Sequence, residues 1–252
     1  MVNSLIHDWN QRGDLIATFN RAFHMDALDW QKTYLPNERN AIVLKGRQVG
    51  ASTAASIKAI HLAHYHPGSL AVIVSPSMKQ SQEIAIRAKA GIRNLERLPL
   101  QQDSATMIRL ANGSRIMSLP GTATSVRGYT AQLLIVDEAA YVEEETWVAS
   151  RALVATGGQV IVQSTPAGAA GWFYELWRSN DPTWDRHQIR SDEVPTISKE
   201  FLAQEKISMG EYAYKAEYCA EFLEAGAGLF DAEVLQGMVD AGAQAYDLGE
   251  TP

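Results

Sequence analysis

The stretch "AIVLKGRQVGASTAAS", residues 41–56, constrains the fold more than any other part of the chain. A short apolar run, a glycine-bearing turn and a segment with helical spacing follow one another, which predicts a buried strand, a tight loop and a helix. This is the order of a phosphate-binding loop, G-x-x-x-x-G-K-[ST]. Aligned on Gly50 and Ser52, the pattern places its lysine at Ala51 and its first glycine at Lys45. The positive charge is therefore absent from its usual position.

Two basic side chains close to the loop can supply the missing charge. Lys45 stands at the start of the loop and Arg47 within it, and either is long enough to reach phosphates held by backbone N–H groups. Ser52 has the position of the hydroxyl that binds Mg²⁺. The residues predicted to surround a nucleotide are Gly46, Gln48, Val49, Gly50, Ala51, Ser52 and Thr53. The alternative is an ordinary strand-to-helix turn.

Further buried strands alternate with helical segments along the chain. The apolar runs "SLAVIVSP" (69–76), "LLIVDEAA" (133–140) and "QVIVQSTPAG" (159–168) predict strands, and residues 78–97 predict a long helix. Asn112-Gly113 between two alternating runs predicts a hairpin. This alternation predicts an α/β fold with a mostly parallel central sheet and helices on both faces. After about residue 170 the pattern is helical and charged, which predicts a small C-terminal helical subdomain.

Acidic and hydroxyl side chains follow two of the predicted strands. Asp137 and Glu138 have the form of a Walker B strand end, in which Asp137 would hold Mg²⁺ and Glu138 would act as general base on water. The alternative is a solvated helix N-terminus, where acids are favoured. Ser164 and Thr165 in "QSTPAG" would face the γ-phosphate if their strand lies between the other two. The alternative there is a strand end stopped by proline.

The segments "KGRQVGAST", "LLIVDEAA" and "QSTPAG", in this order and spacing, resemble the ATPase domain of the large terminase subunit, the DNA-packaging motor of tailed bacteriophages. The resemblance extends from about residue 20 to 230 and implies a three-layer P-loop NTPase fold of the ASCE, RecA-like type. It implies ATP and Mg²⁺ as cofactors and double-stranded DNA as substrate. Further partners that it implies are a homo-oligomeric ring on a portal and a small terminase subunit. Gln31 in "LDWQKTYL" resembles the adenine-reading Q motif.

Arg127 precedes Asp137 by ten residues. The strand ending at Asp137 is at most ~17 Å long at ~3.3 Å per residue, so Arg127 is expected near the strand's opposite end, away from its own nucleotide. The resemblance implies an arginine finger in this region that acts on a neighbouring subunit. The alternative is a surface or DNA-facing arginine. The predicted helix 78–97 likewise carries basic residues for which either DNA contact or solvation is possible.

The predicted organisation is an N-terminal helical segment with the Q motif (1–40), the ATPase core (41–170), the helical subdomain (171–230) and a linker (231–252). The family normally continues into an RNase-H-like nuclease domain, so we expect the chain to be a truncated form. No apolar run reaches the ~18 residues of a membrane span, and the N-terminus lacks a signal peptide, which favours the cytoplasm of the infected host. The alternative functions are a catalytically weak nucleotide-binding assembly module and a helicase-like ATPase.

Overall fold

A computed structural model describes residues 14–95, 99–104, 106–155 and 157–224. Its helices are α1 Leu15–Phe23, α2 Asp29–Tyr34, α3 Ala51–Tyr65, α4 Met78–Asn94, α5 Glu144–Arg151, α6 Trp172–Arg178 and α7 Lys199–Glu217. Its strands are β1 Asn40–Lys45, β2 Leu70–Ser75, β3 Leu100–Asp103, β4 Met107–Leu110, β5 Arg115–Pro120, β6 Leu133–Asp137, β7 Gln159–Ser164 and β8 Trp184–Ile189.

The strands of the described residues form one sheet in the order β3-β4-β5-β2-β6-β7-β1-β8. All neighbouring strands pair in parallel except for the two pairs made by β4. The hairpin predicted at Asn112-Gly113 joins β4 to β5, and Gly113 has the left-handed φ of 85° that such a turn requires. The predicted α/β fold with a mostly parallel sheet is confirmed.

Two apolar cores flank the sheet because alternate side chains of each strand point to opposite faces. On one face, Ile135 of β6 belongs to a core that also contains Phe19 of α1 and Ile57 of α3. On the other face, its neighbour Val136 belongs to a core with Trp147 of α5 and Phe173 of α6. Helices therefore cover both sides of the sheet, which is the three-layer arrangement expected from the sequence.

The parallel strands bring their polar carboxyl ends to one edge of the sheet. β7 lies between β6 and β1, as predicted for the strand that carries Ser164 and Thr165. Asp137 pairs with Gln163 of β7, and Leu44 of β1 pairs with Ser164. The loop, the two acids and the two hydroxyls consequently meet where the central strands end.

Strand β8 is the main difference from the sequence-based expectation, which assigned only helices to the region after residue 170. It pairs with β1 in parallel along its full length, from Asn40↔Trp184 to Lys45↔Ile189. The segment "WDRHQI" lacks an apolar run because only its two end residues are buried in this edge strand. Its ladder of hydrogen bonds to β1, rather than apolar burial, stabilises it. Helices α6 and α7 do form as predicted.

Helix α4 also ends earlier than predicted, at Asn94. Two of its basic residues are occupied within the chain, because both Lys89 and Arg93 form ion pairs with Asp103. Arg97 and the predicted linker 231–252 lie outside the described residues. The domain boundaries inferred from the sequence therefore stay a prediction.

Lys58 of α3 supports a prediction about stability. It is only 5% exposed, its ammonium donates to the Asn37 carbonyl and lies 5.4 Å from the centre of the Tyr34 ring, and burial lowers its pKa from 10.5 to about 8. Below pH 8 the folded chain must therefore hold a charge in poorly hydrated surroundings. Because the unfolded state binds this proton more strongly, the free energy of unfolding rises as the pH increases from about 8 to 10.5.

Replacing Lys58 by methionine is expected to raise the free energy of unfolding at pH 7 by about 1–3 kcal/mol, since one pKa unit corresponds to ~1.4 kcal/mol. The Asn37 carbonyl keeps a donor, because the Gln159 amide lies 3.0 Å from it. Urea unfolding at pH 7 and pH 10 measures the effect, and the difference between variant and parent should shrink at the higher pH. Equal or lower stability of the variant at pH 7 would contradict the prediction.

Candidate functional site

The loop between β1 and α3 has the backbone of a tight phosphate-binding turn. Gln48 and Gly50 both adopt left-handed conformations, with φ of 61° and 84°. Gly50 is the residue at which helix α3 begins, so the free N–H groups of the first helical turn face the loop. The predicted role of glycine in the turn holds for Gly50, whereas the second left-handed position belongs to a glutamine. The loop is thus shaped to receive an anion.

Helix α2 holds the second half of the loop. The indole N–H of Trp30 donates to the Val49 carbonyl at 3.0 Å, and the amide of Gln31 donates to the Gly50 carbonyl at 3.2 Å. The amide oxygen of Gln31 accepts from the N–H of Leu28 at 2.9 Å. Gln31, predicted to read adenine, is therefore buried and bonded within the chain, and adenine recognition by it stays a prediction. Trp30 was not foreseen, since its sequence position says nothing about a partner in the loop.

The C-terminal part of the described chain holds the first half of the loop. The N–H of Gly46 donates to the Ile189 carbonyl at 2.8 Å, and the Ser191 hydroxyl donates to the Arg47 carbonyl at 2.7 Å. A Cβ atom on Gly46 would lie 2.4 Å from the Ser191 Oγ and 2.6 Å from the Tyr218 carbonyl oxygen. Gly46 is therefore required for this packing rather than for a left-handed turn.

The two candidate cations of the loop engage different acids. Lys45 Nζ lies 2.9 Å from Glu138 Oε1, and the two side chains are 10% and 25% exposed. Arg47 Nε lies 2.7 Å from Glu217 Oε2, at the end of α7, and the Arg47 side chain is 56% exposed. The hydrogen bond to Glu217 raises the pKa of Arg47. Lys45 is thus the sheltered cation, next to the predicted base, and Arg47 is the outer one.

Asp137 and Glu138 stand at the end of β6 in different surroundings. Asp137 is buried and its Oδ1 accepts from the Gln163 amide at 2.7 Å. Burial raises the pKa of Asp137, and the nearby charge of Lys45 opposes this shift. Glu138 has a left-handed backbone with φ of 50°, which is uncommon for a residue other than glycine and is often found at functional sites.

The predicted magnesium ligands fit a hard divalent cation in type. A carboxylate from Asp137 and a hydroxyl from Ser52, which lies in the first turn of α3 next to Thr53, are oxygen ligands of the kind that Mg²⁺ prefers. The sheltered position of Asp137 beside Lys45 also shows that this carboxylate lies among charged groups rather than in solvent. The residues present therefore match the chemistry that the cation needs.

Ser164 and Thr165 are buried beside the acids. The Ser164 hydroxyl makes a long contact of 3.5 Å with Glu138 Oε2. Thr165 borders a cavity of about 280 Å³ that is lined by Lys45, Arg47, Gln80, Glu138, Tyr141, Thr165 and Glu217. Gln80 and Tyr141 were not foreseen from the sequence, because neither belongs to a recognisable motif.

A second cavity of about 380 Å³ lies over the loop. It is lined by Lys45, Gly46, Gln48, Val49, Gly50, Ala51, Ser52, Thr53 and Arg87. Lys45 borders both cavities, so its ammonium separates the loop from the acid and hydroxyl side chains. The arrangement can hold a polyphosphate over the loop and place its end beside a carboxylate that can accept a proton.

Arg127 is exposed and borders neither of these cavities. Within residues 14–95, 99–104, 106–155 and 157–224, no hydrogen bond or ion pair joins its guanidinium to another residue. Its neighbour Val126 is buried in the core beside α5 and α6 and fixes this part of the chain. The expectation that Arg127 is remote from its own site agrees with this placement, and a role in a neighbour's site stays a prediction.

Comparisons with known proteins point to one family. A family model described as "Terminase large subunit, T4likevirus-type, N-terminal" matches residues 42–236. A terminase large subunit of Thermus phage G20c is 26% identical over 233 residues, which is 76% of this chain and 47% of that protein. The chain therefore spans about half the length of this relative.

Two solved structures share the fold. The large terminase ATPase domain of Thermus phage P74-26 superposes with a TM-score of 0.71 and 23% identity over 81% of this chain and 97% of that one. The large terminase of another thermophilic bacteriophage, solved in complex with ADP, gives a TM-score of 0.65 and 12% identity over 86% of this chain and 56% of that one. The described helices include none that is long and apolar enough to cross a membrane.

Proposed function

The chain belongs to the terminase large-subunit family, and from that premise we propose that it binds ATP with Mg²⁺ and hydrolyses the nucleotide to move double-stranded DNA. The ion pair of 2.9 Å between Lys45 and Glu138 carries this proposal. It joins the end of β1, where the phosphate-binding turn starts, to the end of β6, where the acids stand. The large terminase that was solved with bound ADP supports the choice of an adenine nucleotide.

In the proposed reaction, Lys45 turns from Glu138 toward the phosphates and so supplies the charge that Ala51 lacks. Water attacks the γ-phosphorus, the bond to the β-phosphate oxygen breaks, and Glu138 accepts the proton that the water loses. Ser52 and Asp137 would hold Mg²⁺, which when bound neutralises charge on the phosphate oxygens. Ser164 and Thr165 would register the γ-phosphate, since both lie buried beside Glu138.

The wider assembly is part of the same proposal. The chain would act in a homo-oligomeric ring on a portal, together with a small terminase subunit, in the cytoplasm of the infected host. Exposed Arg127 would act on the nucleotide of the neighbouring subunit in that ring. Gln31 would take part in adenine recognition through its position beside the end of the loop.

Calorimetric titration of the chain with ATP, with and without Mg²⁺, tests the proposal at its base. Binding is expected in both conditions and should be tighter with Mg²⁺, because Ser52 and Asp137 can then share the cation with the phosphates. A chain that binds no ATP in either condition would contradict the proposed function. A chain that binds ATP but has no turnover in the assembled ring would be a nucleotide-binding assembly module instead.

Replacing Lys45 by alanine is expected to lower ATP turnover in the assembled motor by about 10²–10³-fold, the usual effect of losing one group that stabilises developing charge. Arg47→Ala should have a smaller effect, because Arg47 is exposed and already paired with Glu217. Steady-state hydrolysis rates of the two variants measure this difference. If neither change lowered turnover, the assignment of the relocated charge would be wrong.

A further inference from the structure

Arg87, on α4, is a third cation at the loop and belongs to no motif. It lines the cavity of about 380 Å³ over the loop together with the residues from Lys45 to Thr53. It comes from a different helix than the one that follows the loop, so it reaches the cavity from another side. Sequence reasoning treated it only as one of several basic residues on a helix surface.

Close packing between helices accounts for this position. Gly91 of α4 lies so near α3 that a Cβ atom there would be 2.7 Å from Ile60 Cδ1. Arg87 precedes Gly91 by four residues and therefore lies on the same side of α4, one turn nearer the edge of the sheet where the loop stands. The glycine thus lets α4 approach α3 closely enough for the arginine to border the loop.

Arg87 also differs from the other cations of this region in what it contacts. Lys45 pairs with Glu138, and Lys89 and Arg93 of the same helix both pair with Asp103. For Arg87, no ion pair or hydrogen bond is found within the described ranges, and its side chain is exposed. Its guanidinium is therefore available to a ligand in the cavity without the loss of an existing partner.

We propose that Arg87 contacts phosphate oxygens of the nucleotide held over the loop and so supplies part of the charge that Ala51 does not. This inference rests on the proposed function, because it takes the polyphosphate of an adenine nucleotide as the ligand. A guanidinium offers several donors in a fixed plane and binds phosphate in a bidentate manner. The loop cavity then receives cations from two sides, Lys45 at the end of β1 and Arg87 on α4.

The test compares Arg87→Ala, Arg87→Lys and Arg93→Ala in the full 252-residue chain. Arg93 serves as the matched control because it lies on the same helix, is 62% exposed and pairs with Asp103. Titrations with MgADP and with adenosine give the dissociation constants. Arg87→Ala is expected to weaken MgADP binding by about tenfold or more, as for loss of a charge-assisted hydrogen bond, and to leave adenosine binding unchanged.

The remaining outcomes separate this inference from the function on which it rests. Arg87→Lys should recover part of the lost affinity, and Arg93→Ala should bind MgADP like the parent chain. If Arg87→Ala binds MgADP within twofold of the parent, the inference is overturned while the proposed function stands. It is also overturned if Arg87→Ala weakens only the binding of double-stranded DNA. A parent chain that binds no nucleotide would overturn both.

Discussion

Replacing Glu138 by glutamine is expected to lower the rate of ATP hydrolysis by about 10²–10⁴-fold, the usual contribution of a positioned general base. Glutamine has nearly the same shape but cannot accept the proton of the attacking water. ATP binding should persist, because the change also removes the ion pair that engages Lys45 and leaves its ammonium available to phosphate. The measurements are steady-state turnover in the assembled ring and the dissociation constant of ATP.

The matched control for this change is Glu144→Gln. Glu144 is exposed in the first turn of α5, only six residues further along the chain, and it borders neither of the two cavities at the loop. Its loss should cost only a few tenths of a kcal/mol of helix stability, roughly the value for one acid at a helix N-terminus. Turnover by Glu138→Gln above half of the parent rate would exclude Glu138 as the base.

Replacing Arg127 by alanine is expected to lower turnover in the assembled ring by about 10³–10⁵-fold, the range for an arginine finger. The physical reason is that Arg127 is exposed and borders neither of its own chain's cavities at the loop, so its charge can act on a neighbour's phosphates. ATP binding by the single chain should be unchanged. Hydrolysis rates of assembled and unassembled chains, at equal concentrations, measure the difference.

A mixing experiment makes this prediction sharper. Rings of Glu138→Gln alone and of Arg127→Ala alone should both be nearly inactive. In mixed rings, a Glu138→Gln chain can offer its arginine to a neighbour that still has its base, so part of the activity should return. Arg109→Ala, which removes another exposed arginine on β4, is the control and should keep the parent rate. A mixture that stays inactive would argue against action between subunits.

The parts of the fold that follow from the sequence are those in which burial alone determines the residue type. β2, β6 and β7 are apolar along most of their length because both faces of the sheet are covered, so they stand out as strands. β8 does not, because an edge strand is held by backbone pairing with β1 and tolerates polar side chains on both faces. Hydrogen bonds of the backbone carry no residue signature, and this strand therefore escapes pattern reasoning.

The same distinction applies to the site. The turn at Gly50 and the acids at Asp137 and Glu138 lie in short local motifs, and the ladder that places β7 between β6 and β1 brings them together as expected. The contact of Arg47 with Glu217 joins residues 170 positions apart, and that of Lys45 with Glu138 joins residues 93 apart. Such pairs depend on how the whole chain packs, so a single sequence does not indicate which cation meets which acid.

The anchoring of the loop at both ends has a consequence for how mutations combine. Val49 and Gly50 are tied to α2, whereas Gly46 and Arg47 are tied to residues 189–218. Changes at Ser191 or Glu217 will therefore not be energetically independent of changes at Arg47, since they share hydrogen bonds and non-additivity is the rule for such neighbours. Sequence drift near the end of α7 is consequently restricted by a turn that lies far away in the chain, and the two must vary together.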